Sequence, residues 1–320
     1  DRFRLLTSGD RTALPRQQTL RALIDWSYDL LDERERMLFR RLAVFAGGFT
    51  LEAAEKVGAD GAVGEADVLD LLARLVEKSL VTLDAAGERY RMLETVRQYA
   101  DERLAASGEA EAARSRHLAF YVALAERARP EIIGPRQREW LARLDQEREN
   151  IVAAHAWCAR ADHGGELDLR LVRAVRNYCF YRGLLAMGLA ATTEALALPG
   201  AQTRNHARCC ALSDAGQFAT RMGRHDEALA YLNDSLAIAR ELGDLSRVAI
   251  ALQPLGQTYL ALDKLDDARA HLAEALTLAR EIDNPREIVT ALSSLVQLHR
   301  VEGAFEAAEP LCESYLVLAR

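Results

Sequence analysis

The chain has 320 residues, 50% of them hydrophobic and 28% charged, and a formal net charge of -7. That balance suits about two globular domains and excludes a disordered chain, while an acidic total argues against a protein built mainly to grip phosphate backbones. No apolar run nears the roughly 18 residues that cross a bilayer, and Asp1-Arg2-Phe3-Arg4 lacks an apolar signal region, so a cytoplasmic protein without a membrane partner is expected.

In chain order, Pro15 is placed as the first residue of a helix running to about Leu31, with Leu20, Leu23, Ile24, Ser27, Leu30 and Leu31 on one face. Asp32 followed three residues later by Glu35 predicts a capping box, opening a second helix through Phe45 that Gly47-Gly48 stops. Thr50 caps a short helix to Val57. After a Gly-rich loop, another helix spans Ala66 to Lys78 with Val68, Leu71, Leu72, Leu75 and Val76 inward. Leu80 to Leu83 and Arg89 to Met92, joined by the turn Asp84 to Glu88, read as a hairpin. Three or four helices and a two-stranded wing outline a winged helix over residues 1–108, with a helical connector over 109–165.

From residue 166 the sequence repeats. Ala211, Leu212, Gly216, Gln217, Ala228, Leu232, Leu236 and Arg240 recur forty residues on as Ala251, Leu252, Gly256, Gln257, Ala268, Leu272, Leu276 and Arg280. Extending the period brings Ala291, Leu292, Gln297 and Gly303 into register, and running it backwards aligns Gly183 with Gly223 and Gly188 with Ala228. Each unit shows helical apolar spacing broken in the middle by Gly223, Asp263 or Gly303, so each is a helix hairpin. Neither helix buries its stripe alone, so the hairpins must stack into a superhelix. Gly216 and Gly256 fall where the two helices of a hairpin approach closely. Asp1 and Arg320 both sit in patterns that read as continuing, so a piece of a longer protein is expected.

Leu252-x-x-Leu255-Gly256-x-x-Tyr259 followed by Ala268-x-x-x-Leu272 resembles the tetratricopeptide pattern, in a version longer than the usual 34 residues; a HEAT-type array is the alternative from length alone. The third unit departs from the pattern, with Val296 at the Gly position and His299 at the Tyr position. A second resemblance rests on Asp1-Arg2-Phe3-Arg4-Leu5-Leu6-Thr7, Pro15 to Leu20, Asp25-Trp26-Ser27-Tyr28, Phe39-Arg40-Arg41-Leu42, Leu75-Val76-x-Lys78-Ser79-Leu80-Val81 and Met92-Leu93-Glu94-Thr95-Val96-Arg97-Gln98-Tyr99-Ala100. Trp140-Leu141-x-x-Leu144 and Glu147-x-x-Asn150-Ile151-x-x-Ala154-x-x-Trp157 extend it. These runs are similar to bacterial STAND-type ATPase transcriptional regulators of the AfsR and LuxR-like kind.

Together the resemblances imply a mainly α chain, a winged helix followed by a right-handed superhelix of tetratricopeptide repeats over 166–320. They imply an ATP- or ADP-binding core elsewhere in the parent as partner of the winged helix, the repeats as sensor, and oligomer formation on activation. This chain contains no Gly-x-x-x-x-Gly-Lys-[Ser/Thr], so no cofactor and no enzymatic activity are expected of it. The family's phosphate-sensing Met-His-Asp triplet has its nearest counterpart in Met92-Leu93-Glu94, with Leu at the His position.

Other chemistry yields to plainer readings. His155, Cys158 and His163, or His206, Cys209 and Cys210, lack the paired spacing of a zinc site. Trp26, Trp140 and Trp157 fall on apolar faces and are expected in the core. Direct DNA binding through the helix at 67–78 is the alternative function, yet that helix sets Asp67, Asp70 and Glu77 against Arg74 and Lys78, and acids outnumber bases over residues 1–110. The candidate site is instead the exposed side of each repeat's first helix: Arg173, Asn177 and Tyr181, then Gln217 and Arg221, then Gln253 and Gln257, then Ser293, Gln297 and Arg300. Amides and guanidiniums along such a face can bind a protein partner or a small effector. A non-enzymatic regulatory fragment is the function expected, with a pure interaction scaffold as a further alternative.

Overall fold

The computed structural model describes residues 15–85 and 87–318, and the chain divides between Asp162 and His163 into two units. The run Asp1 to Thr7 lies outside the described residues. In the first unit α1 (Pro15–Asp29), α2 (Glu33–Arg41), α3 (Leu51–Gly58) and α4 (Val68–Glu77) lead to an antiparallel hairpin of β1 (Thr82–Leu83) and β2 (Tyr90–Arg91). Then come α5 (Glu94–Ser107), α6 (Ala110–Glu131) and α7 (Gln137–Cys158).

The caps set the helix starts. Asp32 accepts from the Glu35 amide at 2.8 Å while the Asp32 amide donates to the Glu35 carboxylate at 2.8 Å, so two otherwise orphaned donors of α2 are satisfied reciprocally. Thr50 accepts from the Ala53 amide at 3.2 Å and opens α3. α2 ends earlier than the sequence suggests. It tightens into a 3-10 turn over Leu42–Val44, and Phe45 is already extended, on the way into a turn where Gly48 takes φ +84. Phe49 then exchanges backbone hydrogen bonds of 2.8 and 2.9 Å with Tyr90, which ties that turn to the wing.

Leu38, Phe39, Leu42, Phe49, Leu72, Leu75, Tyr99 and Leu104 are buried and form the centre of this unit. α4 is inward at Val68, Leu71, Leu72 and Leu75, as its spacing predicts. α1 needs correction. Ile24 and, just past the helix, Leu31 are buried, but Leu23 is 56%, Trp26 64% and Leu30 56% exposed, so α1 with the two residues after it is apolar on two sides and only one of them packs. Trp140 and Trp157, by contrast, are buried.

The helices read as a connector fold back on the winged helix. Glu109 receives Arg40 at 2.5 Å and Arg41 at 2.7 Å, Arg116 donates to the Val57 carbonyl at 2.9 Å, and α6 packs along α3.

The second unit is built of hairpins: α8 (Gly164–Tyr181) with α9 (Leu185–Ala197), α10 (His206–Arg221) with α11 (His225–Glu241), α12 (Leu245–Ala261) with α13 (Leu265–Glu281), and α14 (Pro285–Glu302) with α15 (Phe305–Leu318). The turn residues predicted at the repeat centres all have positive φ: +74 at Gly223, +59 at Asp263 and +72 at Gly303. A Cβ at Gly216 would lie 2.4 Å from Leu232 Cγ, and one at Gly256 2.5 Å from Leu272 Cγ. These glycines let α10 meet α11, and α12 meet α13, at backbone distance.

Candidate functional site

Neighbouring first helices, α8 with α10, α10 with α12 and α12 with α14, pack on one another more closely than neighbouring second helices do. The first helices therefore form the more closely packed, inner layer of this unit, and the ten candidate residues lie on them. The structure gives them three levels of exposure. Tyr181, Arg221, Gln257, Ser293, Gln297 and Arg300 are exposed, Arg173, Asn177 and Gln217 are half-buried, and Gln253 is buried.

Several of them are ties between successive helices. Gln253 on α12 donates to the Glu287 carboxylate on α14 at 3.0 Å, and Gln257 donates to Ser294 Oγ at 3.1 Å. Thr220 and Thr258 share a hydroxyl hydrogen bond of 2.8 Å between α10 and α12. Gln217 donates to Ser213 at 3.2 Å and accepts from Arg176. Gln217 and Gln257 thus act first as rungs that fix the spacing of the inner helices, while Gln297 keeps its amide at the surface.

Two residues that sequence reasoning missed organise the α8–α10 end. Asp214 is 2% exposed, and Arg173 Nη1 donates to both of its carboxylate oxygens at 2.7 Å. Arg176 Nε lies 2.7 Å from Asp214 Oδ1, and its other nitrogens reach Asn177 and Gln217. The Arg176 guanidinium is centred 4.7 Å, and that of Arg221 5.5 Å, from the Phe180 ring centroid, and Phe180 stacks on Phe218 at 4.4 Å. Burial lowers the pKa of Arg176 from its ordinary value; Asp214 opposes that shift, while Arg173, Arg221 and Arg286 add to it. Asp214 raises that of Arg173 against the opposing effect of burial. No spacing rule pairs residues 41 apart on two helices, so this cluster carried no sequence signal beyond an acid inside an apolar stripe.

In the first unit the candidate recognition helix is already engaged. Arg74 pairs with Asp32 at 3.4 Å and Lys78 with Glu35 at 2.6 Å, while Asp67 at its N-terminus holds Arg34. Deeper in, Glu147 and Asn150 of α7 form a buried polar knot. Arg89 from the wing donates to Glu147, Tyr121 donates to it at 2.8 Å, and Asn150 donates to Glu147 at 3.0 Å and to the Gly48 carbonyl at 2.8 Å while accepting from the Ala46 amide at 2.8 Å. Burial raises the Tyr121 pKa, with the Glu147 charge adding to it, and burial depresses His117, beside Asn150, to about 4. Among the described residues no three His, Cys, Asp or Glu side chains converge as a metal set would, and no helix is long and apolar enough to cross a membrane.

Residues 31–105 match the winged helix-turn-helix domain family and residues 207–281 the tetratricopeptide repeat family. A Mycobacterium tuberculosis protein that carries the name of an HTH-type transcriptional regulator is 40% identical over 261 residues, 79% of this chain and 29% of that protein. The chain is homologous to regulators of that name. An uncharacterised protein of the same organism is 46% identical over 120 residues, 37% of this chain and 30% of its own length. Among solved structures, a Pyrococcus horikoshii STAND protein with a tetratricopeptide repeat sensor is 16% identical, with a TM-score of 0.44, over 97% of this chain and 54% of its own. The chain thus spans under a third of the length of the curated relatives it matches. It combines a winged helix with tetratricopeptide repeats, domain types that ordinarily mediate regulation and protein interaction rather than catalysis.

Proposed function

We propose that this chain is the regulatory and sensor part of a longer signal-transducing transcriptional regulator of the STAND type, AfsR and LuxR-like in kind. In this reading the inner face of the repeats binds a protein partner or small effector. The winged helix relays that event to a nucleotide-binding core in the same parent. ATP or ADP belongs to that core; this chain holds no cofactor and catalyses nothing. The work is cytoplasmic, and the parent self-associates on activation.

The observation that supports the reading most is the state of the charges on α4. A helix that reads DNA presents free cations to phosphates and base edges, whereas Arg74 and Lys78 are paired with the capping-box acids Asp32 and Glu35. The fusion of the wing to α7 through Arg89 and Glu147 fits a relay element, since a movement of α7 must move the wing with it.

A gel shift of the 320-residue chain on duplex DNA, run from low to physiological salt, tests this. Only weak binding that vanishes as salt rises is expected. Binding that stays tight at physiological salt would make the winged helix a DNA reader and defeat the relay reading.

A further inference from the structure

Three arginines gather at the α8–α10 end of the inner face: Arg173 and Arg176 on Asp214, and Arg176 and Arg221 against the Phe180 ring. Asp214 pairs with two members of this group and is buried among them. One carboxylate shared by two guanidiniums leaves an excess of positive charge in a half-buried place, inside a chain whose total is -7. Several bases farther along this unit are each matched by acids: Arg204 holds Asp234 and Glu241, Arg240 holds Glu274, and Arg269 holds Asp266 and Glu302.

The cluster is also fixed in place. Asp214 orients Arg173 and Arg176, Gln217 and Asn177 occupy the remaining nitrogens of Arg176, and Arg221 rests on the Phe180 ring, which is itself stacked on Phe218. Such holding lowers the ordering entropy that a flexible arginine loses on binding. Arg221 is exposed, and Arg173 is bound to Asp214 through Nη1, so further guanidinium donors remain to be filled in the fork geometry that suits carboxylate and phosphate oxygens.

We propose that Arg173 and Arg221, supported by Arg176, form a receptor for a small multiply charged anion, a phosphorylated or polycarboxylate metabolite, at the α8–α10 end of the inner face. This rests on the reading of that face as the sensor surface and names the chemistry it senses. A compact anion suits the place better than an extended peptide, because the amides that would follow a peptide backbone are already engaged, Gln217 with Ser213 and Arg176, Gln253 with Glu287 and Gln257 with Ser294.

Isothermal titration of the chain with pyrophosphate and, separately, with citrate at constant ionic strength tests the site and tells the two anion sources apart. Saturable binding of one or both is expected, weakened about tenfold or more in Arg221→Gln, the loss of a charge-assisted contact. Arg221 makes no hydrogen bond that the fold needs, so that variant folds even where Arg173→Gln does not. Arg280→Gln, an exposed residue on the second helix α13 and outside the candidate face, leaves the affinity unchanged. Absence of saturable binding of either anion, or equal weakening in Arg280→Gln, overturns the proposal. If the sensor reading holds while this one fails, no anion binds but alanine at the inner face still impairs the parent's response; if the sensor reading itself fails, that response is untouched.

Discussion

The two units use polar side chains in opposite ways. In the first, charge is consumed inside the fold: Arg89 with Glu147, Arg40 and Arg41 with Glu109, and Lys78 with Glu35 stitch the winged helix to itself and to α6 and α7. In the second, each hairpin packs mainly on its neighbours, polar groups tie one inner helix to the next, and three arginines gather at one end with one buried carboxylate between two of them. A closed core can spend its charges on specifying a single arrangement; a stack of repeats has an inner surface left over for something else.

The difference can be broken first at the buried knot. Glu147→Ala leaves the Arg89 guanidinium buried without its carboxylate and is expected to destabilise the first unit by about 3–5 kcal/mol. In chemical denaturation followed by circular dichroism that unit's transition moves while the repeats' transition stays; a change under about 1 kcal/mol would show that the knot does not hold the unit together.

Acid acts next. His117 is buried and depressed to about 4, against about 6.5 in an unfolded chain, so the unfolded state takes up the proton first. Stability is full above about pH 6.5 and falls as pH drops towards 4, by up to about 3 kcal/mol from this residue. Thermal melts between pH 7 and 4.5 detect the fall, and His117→Gln flattens it in the first unit. An identical pH profile in the variant refutes the assignment to His117.

A smaller effect is expected at the hairpin glycines. Gly256→Ala places a methyl against Leu272 and costs about 1–3 kcal/mol, confined to the α12–α13 hairpin and its neighbours. Hydrogen exchange should show faster opening there and no change in the first unit. Uniform acceleration through the chain would mean that the repeats are not energetically local.

Features carried by near neighbours in sequence were legible in advance. Asp32 with Glu35, Thr50 at the start of α3, and Gly216 and Gly256 at the hairpin contacts each depend on spacings within one helix or one repeat, and so declare themselves in the chain. Trp26 did not, because α1 with the two residues after it is apolar on both sides, Leu23, Trp26 and Leu30 against Ile24 and Leu31, and the sequence does not tell which side finds a partner. Glu147 and Asn150 stood out as a pattern, but their partners Arg89 and Gly48 lie on a distant turn and wing. The candidate face was chosen from the repeat register alone, whereas Arg176 on α8 and Asp214 on α10 come together only when the hairpins stack.

The central claim is that sensing belongs to the inner face of the repeats rather than to the winged helix. The most direct test puts alanine at Gln217, Arg221, Gln257 and Arg300 together in the full-length parent and measures transcription from a responsive promoter. The account predicts loss of the response with the first unit's melting transition unmoved. An unchanged response in a folded variant would contradict it.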